Sequence, residues 1–322
     1  MNELSKDSAT WLEVGEEGDD QRVDNYLTRL LKGVPKSHIY RILRSGEVRV
    51  NSGRIGPDHR LRAGDRLRLP PVRSTTRRSG EAKKSGAVAP ALAGRIIHED
   101  DALLVIDKPA GVAVHGGSGV SVGAIEQLRR ERPQARFLEL VHRLDRATSG
   151  VLLLAKKRSA LTALHAQLRE GSAHKFYLTL VKGRWRNAKQ NVNLPLHKYV
   201  LRSGERRVRV ESEGQAAHTI FRLERSFPGF SLLKAELKTG RTHQIRVHLA
   251  HLGFPIAGDD KYGDFELNHA LFRQGLKRMF LHACRITVVH PVTERRVTYE
   301  APLAPELVAF LATLAPADAH TV

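Results

Sequence analysis

The stretch Val141–Lys156, "VHRLDRATSGVLLLAK", decides how this chain is read. Its second half, Val151 to Ala155, is an unbroken apolar run, the pattern of a strand buried on both faces. Its first half sets one carboxylate, Asp145, between two guanidinium groups, Arg143 and Arg146. Arginines beside a carboxylate favour its charged form and fix its direction. A buried strand that starts just after such a carboxylate holds it at the edge of a core. There an ionised acid is both aimed and accessible.

Outward from that stretch the pattern continues in both directions. Ala102 to Ile106 is apolar and predicts a second buried strand, and "DKPAG" after it predicts a turn fixed by Pro109 and Gly111. "HGGSG" (115–119) is glycine-rich. It lacks the lysine and following helix of a phosphate-cradling P-loop, and reads better as a loop beside a site. Residues 121–132 predict a helix. From Gly94 to about residue 315, strand-like and helix-like patterns alternate without an internal repeat.

The first third has a different character. Residues 1–19 are acidic and polar, with no signal-peptide core, and predict a disordered N-terminus. Residues 20–71 predict a small basic module. "RVDNYLTRLLKG" places Val23, Tyr26, Leu27, Leu30 and Leu31 at helical spacing. "VPKSHIYRILRSG" turns Ile39, Ile42 and Leu43 inward and Arg41 and Arg44 elsewhere. "EVRVNSGRI" and "HRLRAGDRLRLP" predict strands and turns. Residues 72–93, "VRSTTRRSGEAKKSGAVAPALA", read as a flexible basic linker.

Composition bounds the function. The chain has 322 residues, with 53 Lys and Arg against 34 Asp and Glu, a net charge of +19. Self-repulsion opposes compaction, so such an excess points to a phosphate-rich partner. No apolar run is long enough to span a bilayer. No long basic amphipathic helix suggests a membrane surface. The single cysteine, Cys284, excludes an intrachain disulfide and a cysteine zinc site, and fits a reducing cytoplasm.

Two resemblances sharpen this. Helix–helix–strand–turn–strand with "SGEVRVNSG" and "RLRAGDRLRL" resembles the small RNA-binding domain, of the S-four type, shared by a small-subunit ribosomal protein and tyrosyl-tRNA synthetases. That resemblance implies that Lys32, Lys36, Ser37, Arg41, Arg44 and Arg54 face RNA phosphates. "HRLDRATSGVLLLAK", "HKFYLTLVKG", "GRTHQIRVHLAHLGFPIAGDDKYG" and "RMFLHACRI" follow one another at the spacing of the pseudouridine synthases that modify ribosomal RNA. The chain from 94 to 322 is thereby identified as a member of that family. The implied fold is mixed α+β: a largely antiparallel sheet with flanking helices and an RNA cleft across it, preceded by the small α+β domain. The implied substrate is 23S ribosomal RNA or its assembly precursor.

Pseudouridine formation breaks the bond between ribose and uracil, turns the base and rejoins it through carbon 5. Nothing is oxidised and no group leaves, so no metal or cofactor is expected. The reaction needs a covalent or near-covalent partner and donors that stabilise charge. Asp145 is the candidate nucleophile. The resemblance pairs Arg246, in "HQIRVH", with that carboxylate. Tyr177 alternates with Phe176 and Leu178 on a predicted strand, and is either core or a stacking partner for uracil. The family assigns to Arg143 the filling of the gap left by a flipped base. Leu281 would pack under the base or serve as plain core.

Competing patterns are weaker. His243, His248 and His251 have the spacing of helical metal ligands, but nearby arginines repel a cation. Asp259, Asp260 and Asp264 could hold magnesium, but read better as a solvated, glycine-bounded turn. Ser149 has no hydrolase triad legible from spacing. The remaining rival is a non-catalytic rRNA-binding or assembly factor on the same fold. Such a factor has no need of an acid facing phosphates. A monomer is expected.

Overall fold

A computed structural model describes residues 8–31, 33–71, 92–116 and 122–314, and the chain divides into two compact units, Met1–Val88 and Ala89–Val322. The first unit begins with β1 (Thr10–Glu13), then α1 (Val23–Leu30), α2 (Lys36–Arg44), β2 (Arg49–Val50), β3 (Gly53–Arg54) and β4 (Arg66–Leu69). The strands form one sheet in the order β1-β4-β2-β3. Val23, Tyr26, Leu27, Ile39, Ile42 and Leu43, the apolar stripes read from the sequence, meet Leu61, Leu67 and Leu69 in one core.

The expected disorder of residues 1–19 is corrected here. Thr10–Glu13 pairs antiparallel with β4, Thr10 opposite Leu69 and Leu12 opposite Leu67. The backbone ladder, with Val14 buried behind it, orders a segment whose composition is polar. Residues 1–7 lie outside the described residues, as does the linker over 72–91. The linker's expected end is corrected too. Leu92 is fully buried with Leu104 and Ile106, and Ala93–Arg95 forms a short 3-10 turn of the second unit.

The second unit runs β5 (Ile96–Glu99), β6 (Leu103–Lys108), α3 (Ala124–Glu131), β7 (Glu139–Leu140), β8 (Ser149–Ala155), α4 (Arg158–Glu170) and β9 (His174–Lys182). It continues through β10 (Lys189–Asn193), β11 (Leu196–Val200), β12 (Arg206–Val210), β13 (His218–Phe227) and β14 (Phe230–Leu237). It closes with α5 (Gln244–His251), α6 (Phe265–Arg273), β15 (Leu281–Val289), β16 (Arg296–Glu300) and α7 (Pro305–Thr313). Ten strands make one sheet along β10-β13-β14-β9-β15-β8-β6-β5, with β16 beside β15 and β7 beside β8. All pairings are antiparallel except β15 with β8. β11 and β12 form a separate hairpin.

The apolar run Val151–Ala155 sits in mid-sheet because both of its faces are covered. Leu152 and Leu154 join Leu104, Ile106, Ile125 and Leu128 on one face. Val151, Leu153 and Ala155 join Leu103, Val105, Leu161 and Leu164 on the other. Gly150 opens this strand at φ 108°, and a Cβ there would stand 2.1 Å from the Ala283 carbonyl oxygen. Only glycine lets β8 approach β15 so closely, and that approach brings the two family blocks carrying Asp145 and Leu281 together.

Candidate active site

Asp145 occupies the turn between β7 and β8, its carbonyl accepting from the Thr148 amide at 3.1 Å. The carboxylate is partly exposed, and Oδ2 accepts from Arg246 Nη1 at 3.0 Å. The flanking arginines do not perform the role the sequence suggested. Arg146 Nε donates to the Gly111 carbonyl at 2.9 Å, and the Arg146 carbonyl accepts from the Gly111 amide at 2.8 Å. That stitches the "DKPAG" turn to the Asp145 turn. Arg143 is exposed and lines the cleft.

A second carboxylate, Asp259, holds Arg246 in place. Arg246 Nε and Nη2 each donate to Asp259 at 2.7 Å, the fork-on-fork geometry that an arginine gives a carboxylate. Asp145 takes the remaining nitrogen. The expectation that "GDDKYGD" is a capping, solvated turn holds for Asp264, whose Oδ1 accepts from the Leu267 amide at 3.0 Å as the cap of α6, and for exposed Asp260, but is corrected for Asp259. Asp259 is fully buried, and also accepts from the amides of Lys261 and Tyr262 at 2.8 and 3.1 Å. Burial by itself would push its carboxyl up, but Arg246 and the two amides hold it below the usual carboxylate range. Asp260 is exposed and reaches Arg246 only at 3.3 Å.

Arg246 is on α5, and Gln244 fixes how that helix begins. Its amide nitrogen donates to the His218 carbonyl at 3.0 Å and to Thr219 Oγ1 at 2.9 Å, tying α5 to β13. Its amide oxygen accepts from Thr239 Oγ1 and the Arg241 amide. His243 precedes it at φ 53°, a left-handed conformation rare for a side-chain-bearing residue. Its Nδ1 lies 2.9 Å from the Tyr262 hydroxyl, and its Nε2 lies 3.9 Å from Asp145 Oδ2. His248 is spoken for elsewhere, Nδ1 by Thr219 Oγ1 at 3.0 Å and Nε2 by the Leu194 carbonyl at 2.9 Å.

These groups border a cleft of about 690 Å³, lined also by Tyr177, Leu281, Arg169, Lys175 and Arg241. Tyr177 and Leu281 come from β9 and β15 and share the same apolar cluster. Burial first, and the Asp145 charge second, push the Tyr177 hydroxyl above its ordinary range. Its ring lines the cleft beside Asp145, where a base could stack on it and its hydroxyl could exchange a proton with that base. The cleft thus brings together Asp145, Tyr177, Arg246, Arg143 and Leu281.

Sequence reasoning missed four contributors. Asp259 was hidden in an acidic turn. Tyr262 and Gln244 look like ordinary loop and helix polar residues. Lys108 is fully buried, its ammonium donating to the carbonyls of Pro109 and Val112 at 2.9 and 2.8 Å, with Arg146 at 3.4 Å. A lysine inside a run such as "LLVIDKP" is the one signal that could have marked it, because unpaired charge is not buried without acceptors. Ser149 does meet a histidine, His282 Nδ1 at 2.8 Å. Both are buried, and His282 Nε2 faces the Ala301 carbonyl at 3.2 Å rather than an acid.

In the first unit, Lys36, Ser37, Arg41, Arg44 and Arg54 are all exposed. Arg44 Nε reaches only the Tyr40 carbonyl, at 3.3 Å, and Arg54 Nη2 the Ser45 carbonyl, at 2.9 Å. Lys32 lies outside the described residues. Among the described residues no helix is long and apolar enough to cross a membrane.

Comparison with known proteins shows the family. The family model for RNA pseudouridylate synthase matches residues 102–251, and that for the S4 domain matches residues 21–67. The chain is 55% identical over 287 residues to ribosomal large subunit pseudouridine synthase C of Yersinia pestis, covering 89% of this chain and 90% of the relative. It is 54% identical over 285 residues to the protein of the same name from Escherichia coli (strain K12), covering 88% and 89%. Among solved structures, human RNA pseudouridylate synthase domain containing 4 superposes with a TM-score of 0.57 at 27% identity, over 70% of this chain and 95% of that one.

Proposed function

The chain belongs to the RNA pseudouridylate synthase family, and from that premise we propose that it isomerises specific uridines of 23S ribosomal RNA, with Asp145 as the nucleophile. The observation that carries the assignment of Asp145 is its one-sided restraint. Oδ2 accepts from Arg246, whose own fork is fixed on buried Asp259, and no described residue donates to Oδ1. The free oxygen is the one left to react.

Oδ1 adds to the target nucleoside, and the bond between C1′ and N1 breaks. The base turns so that C5 meets C1′. The carboxylate is expelled as the new carbon–carbon bond forms. The proton on C5 leaves and N1 takes one up, so atoms and charge balance as an isomerisation. Arg246 keeps the carboxylate aimed. Tyr177 offers a ring for the uracil to stack on, and Leu281 an apolar surface. Arg143, exposed at the cleft, is suited to replacing the flipped base in its stack. No step calls for a cofactor or a metal. The exposed basic residues of the first unit, with Lys32, engage phosphates and position the RNA. The protein works as a monomer in the cytoplasm.

A non-catalytic rRNA binder accounts for the net charge but not for the acid in the cleft. Mapping pseudouridine in large-subunit rRNA from cells with and without the gene tests the reading. Specific pseudouridines should vanish without the gene and return with it. An unchanged map would overturn the proposal.

A further inference from the structure

Lys175 stands apart from the other buried cations among the described residues of the catalytic unit. It is on β9, two residues before Tyr177 and therefore on the same face of the sheet. It is nine-tenths buried and lines the cleft. The other deeply buried cations are matched: Lys108 by backbone carbonyls, Arg246 by Asp259 and Asp145. No described residue accepts a hydrogen bond from Lys175 or pairs with it. Burial pulls its ammonium below the ordinary lysine range, and nothing offsets that pull. Such a group costs the free protein stability.

The surroundings say what would satisfy it. Arg143, Arg169 and Arg241 line the same cleft, and the only acid among the lining residues is Asp145. Asp145 is already paired with Arg246. Gly240 passes close by, so that even a Cβ on it would come within 3.5 Å of the Lys175 nitrogen. The cleft around Lys175 is thus positive, and its acceptor has to come from the ligand. A neutral base edge would leave the ammonium uncompensated, whereas a phosphodiester carries both the charge and the acceptor oxygens.

We propose that Lys175 is a binding residue for one RNA phosphate next to the nucleotide seated in the cleft; in the free protein its largely buried side chain opens its ammonium on the cleft, with no partner among the described residues. The inference rests on the reading of the cleft as the RNA-modifying site. It makes two opposed predictions for one side chain. Lys175→Met, which keeps the length and removes the charge, should weaken binding of a short target RNA by about ten- to a hundredfold. It should also lower the log–log salt slope by about 0.7, one single-strand contact. The same variant should melt at a higher temperature than wild type when free of RNA, because the unpaired charge is gone. A residue with only a structural role would move stability in the other direction.

The decisive test replaces, one at a time, each phosphate flanking the target uridine by an uncharged methylphosphonate. With wild-type protein one position should weaken binding strongly. With Lys175→Met that position should have little further effect. The wild-type series needs no variant to fold. The inference is overturned if no methylphosphonate weakens wild-type binding, or if Lys175→Met keeps full affinity, salt slope and sensitivity at every position. Pseudouridine formation by wild type on the unmodified RNA is scored in parallel. Its presence alongside a negative methylphosphonate result removes only the role of Lys175; its absence removes the reading of the site.

Discussion

Arg246 meets three carboxylates, of which exposed Asp260 is the most distant, and the two closer ones are not equivalent. Asp259 receives two nitrogens and is buried; Asp145 receives one and is partly open. The bidentate pair anchors, and the single bond aims. Replacing Arg246 by Ala strips a buried acid of its partner, so it should lower stability by about 3–5 kcal/mol as well as activity. Lys at 246 restores charge but not the fork, so it should fall well below arginine and above alanine in single-turnover rate. Urea unfolding and single-turnover assays of the three proteins check both orders. Equal rates for arginine and alanine would separate Arg246 from Asp145. Asp145, Tyr177 and Arg246 were legible because they lie in contiguous motifs of fixed spacing. Asp259 was not, since a buried acid and a solvated one look alike in a glycine-bounded turn. Lys175 was not, because the lack of a partner is a property of three dimensions. The aiming role first read for the flanking arginines was not legible for the same reason: Arg146 turns to the Gly111 carbonyl, and Arg143 lines the cleft without pairing with Asp145.

Elements differ in how openly the sequence declares them. α1 and α2 show their apolar stripes, and β8 shows an apolar run covered on both faces. β1 shows little, because its order comes from backbone pairing with β4 across more than fifty intervening residues. The start of α5 is set by Gln244 bonding to β13, which no local pattern encodes. α2 carries the clearest element-scale claim. Its buried face is Ile39, Ile42 and Leu43, while Lys36, Ser37, Arg41 and Arg44 are exposed. If that face meets phosphate, changing Arg41 and Arg44 together to Gln should lower the log–log salt slope of rRNA binding by about 1.8 on a duplex, roughly 0.9 for each contact. Melting temperature should hardly change, since exposed side chains contribute little to folding. Filter binding across salt concentrations measures the slope. An unchanged slope would leave α2 facing solvent.

At the scale of the whole molecule, a net charge of +19 and a single acid among the described residues that line the cleft describe a division of labour. The basic excess gathers RNA nonspecifically and depends on salt. The acid depends on being held, through Arg246, by residues more than a hundred positions away in sequence. The sheet gathers the other cleft residues as well, with Gly150 letting β8 run beside β15, the strand of Leu281. The central claim is that one carboxylate turns an RNA-binding protein into an isomerase. Its most direct test is single-turnover pseudouridine formation by the full chain on 23S rRNA, wild type against Asp145→Asn, with RNA affinity measured on the same samples. Asparagine keeps the shape and removes the nucleophile. The account predicts no detectable pseudouridine from the variant and an affinity within a few-fold of wild type; turnover near the wild-type rate would contradict it.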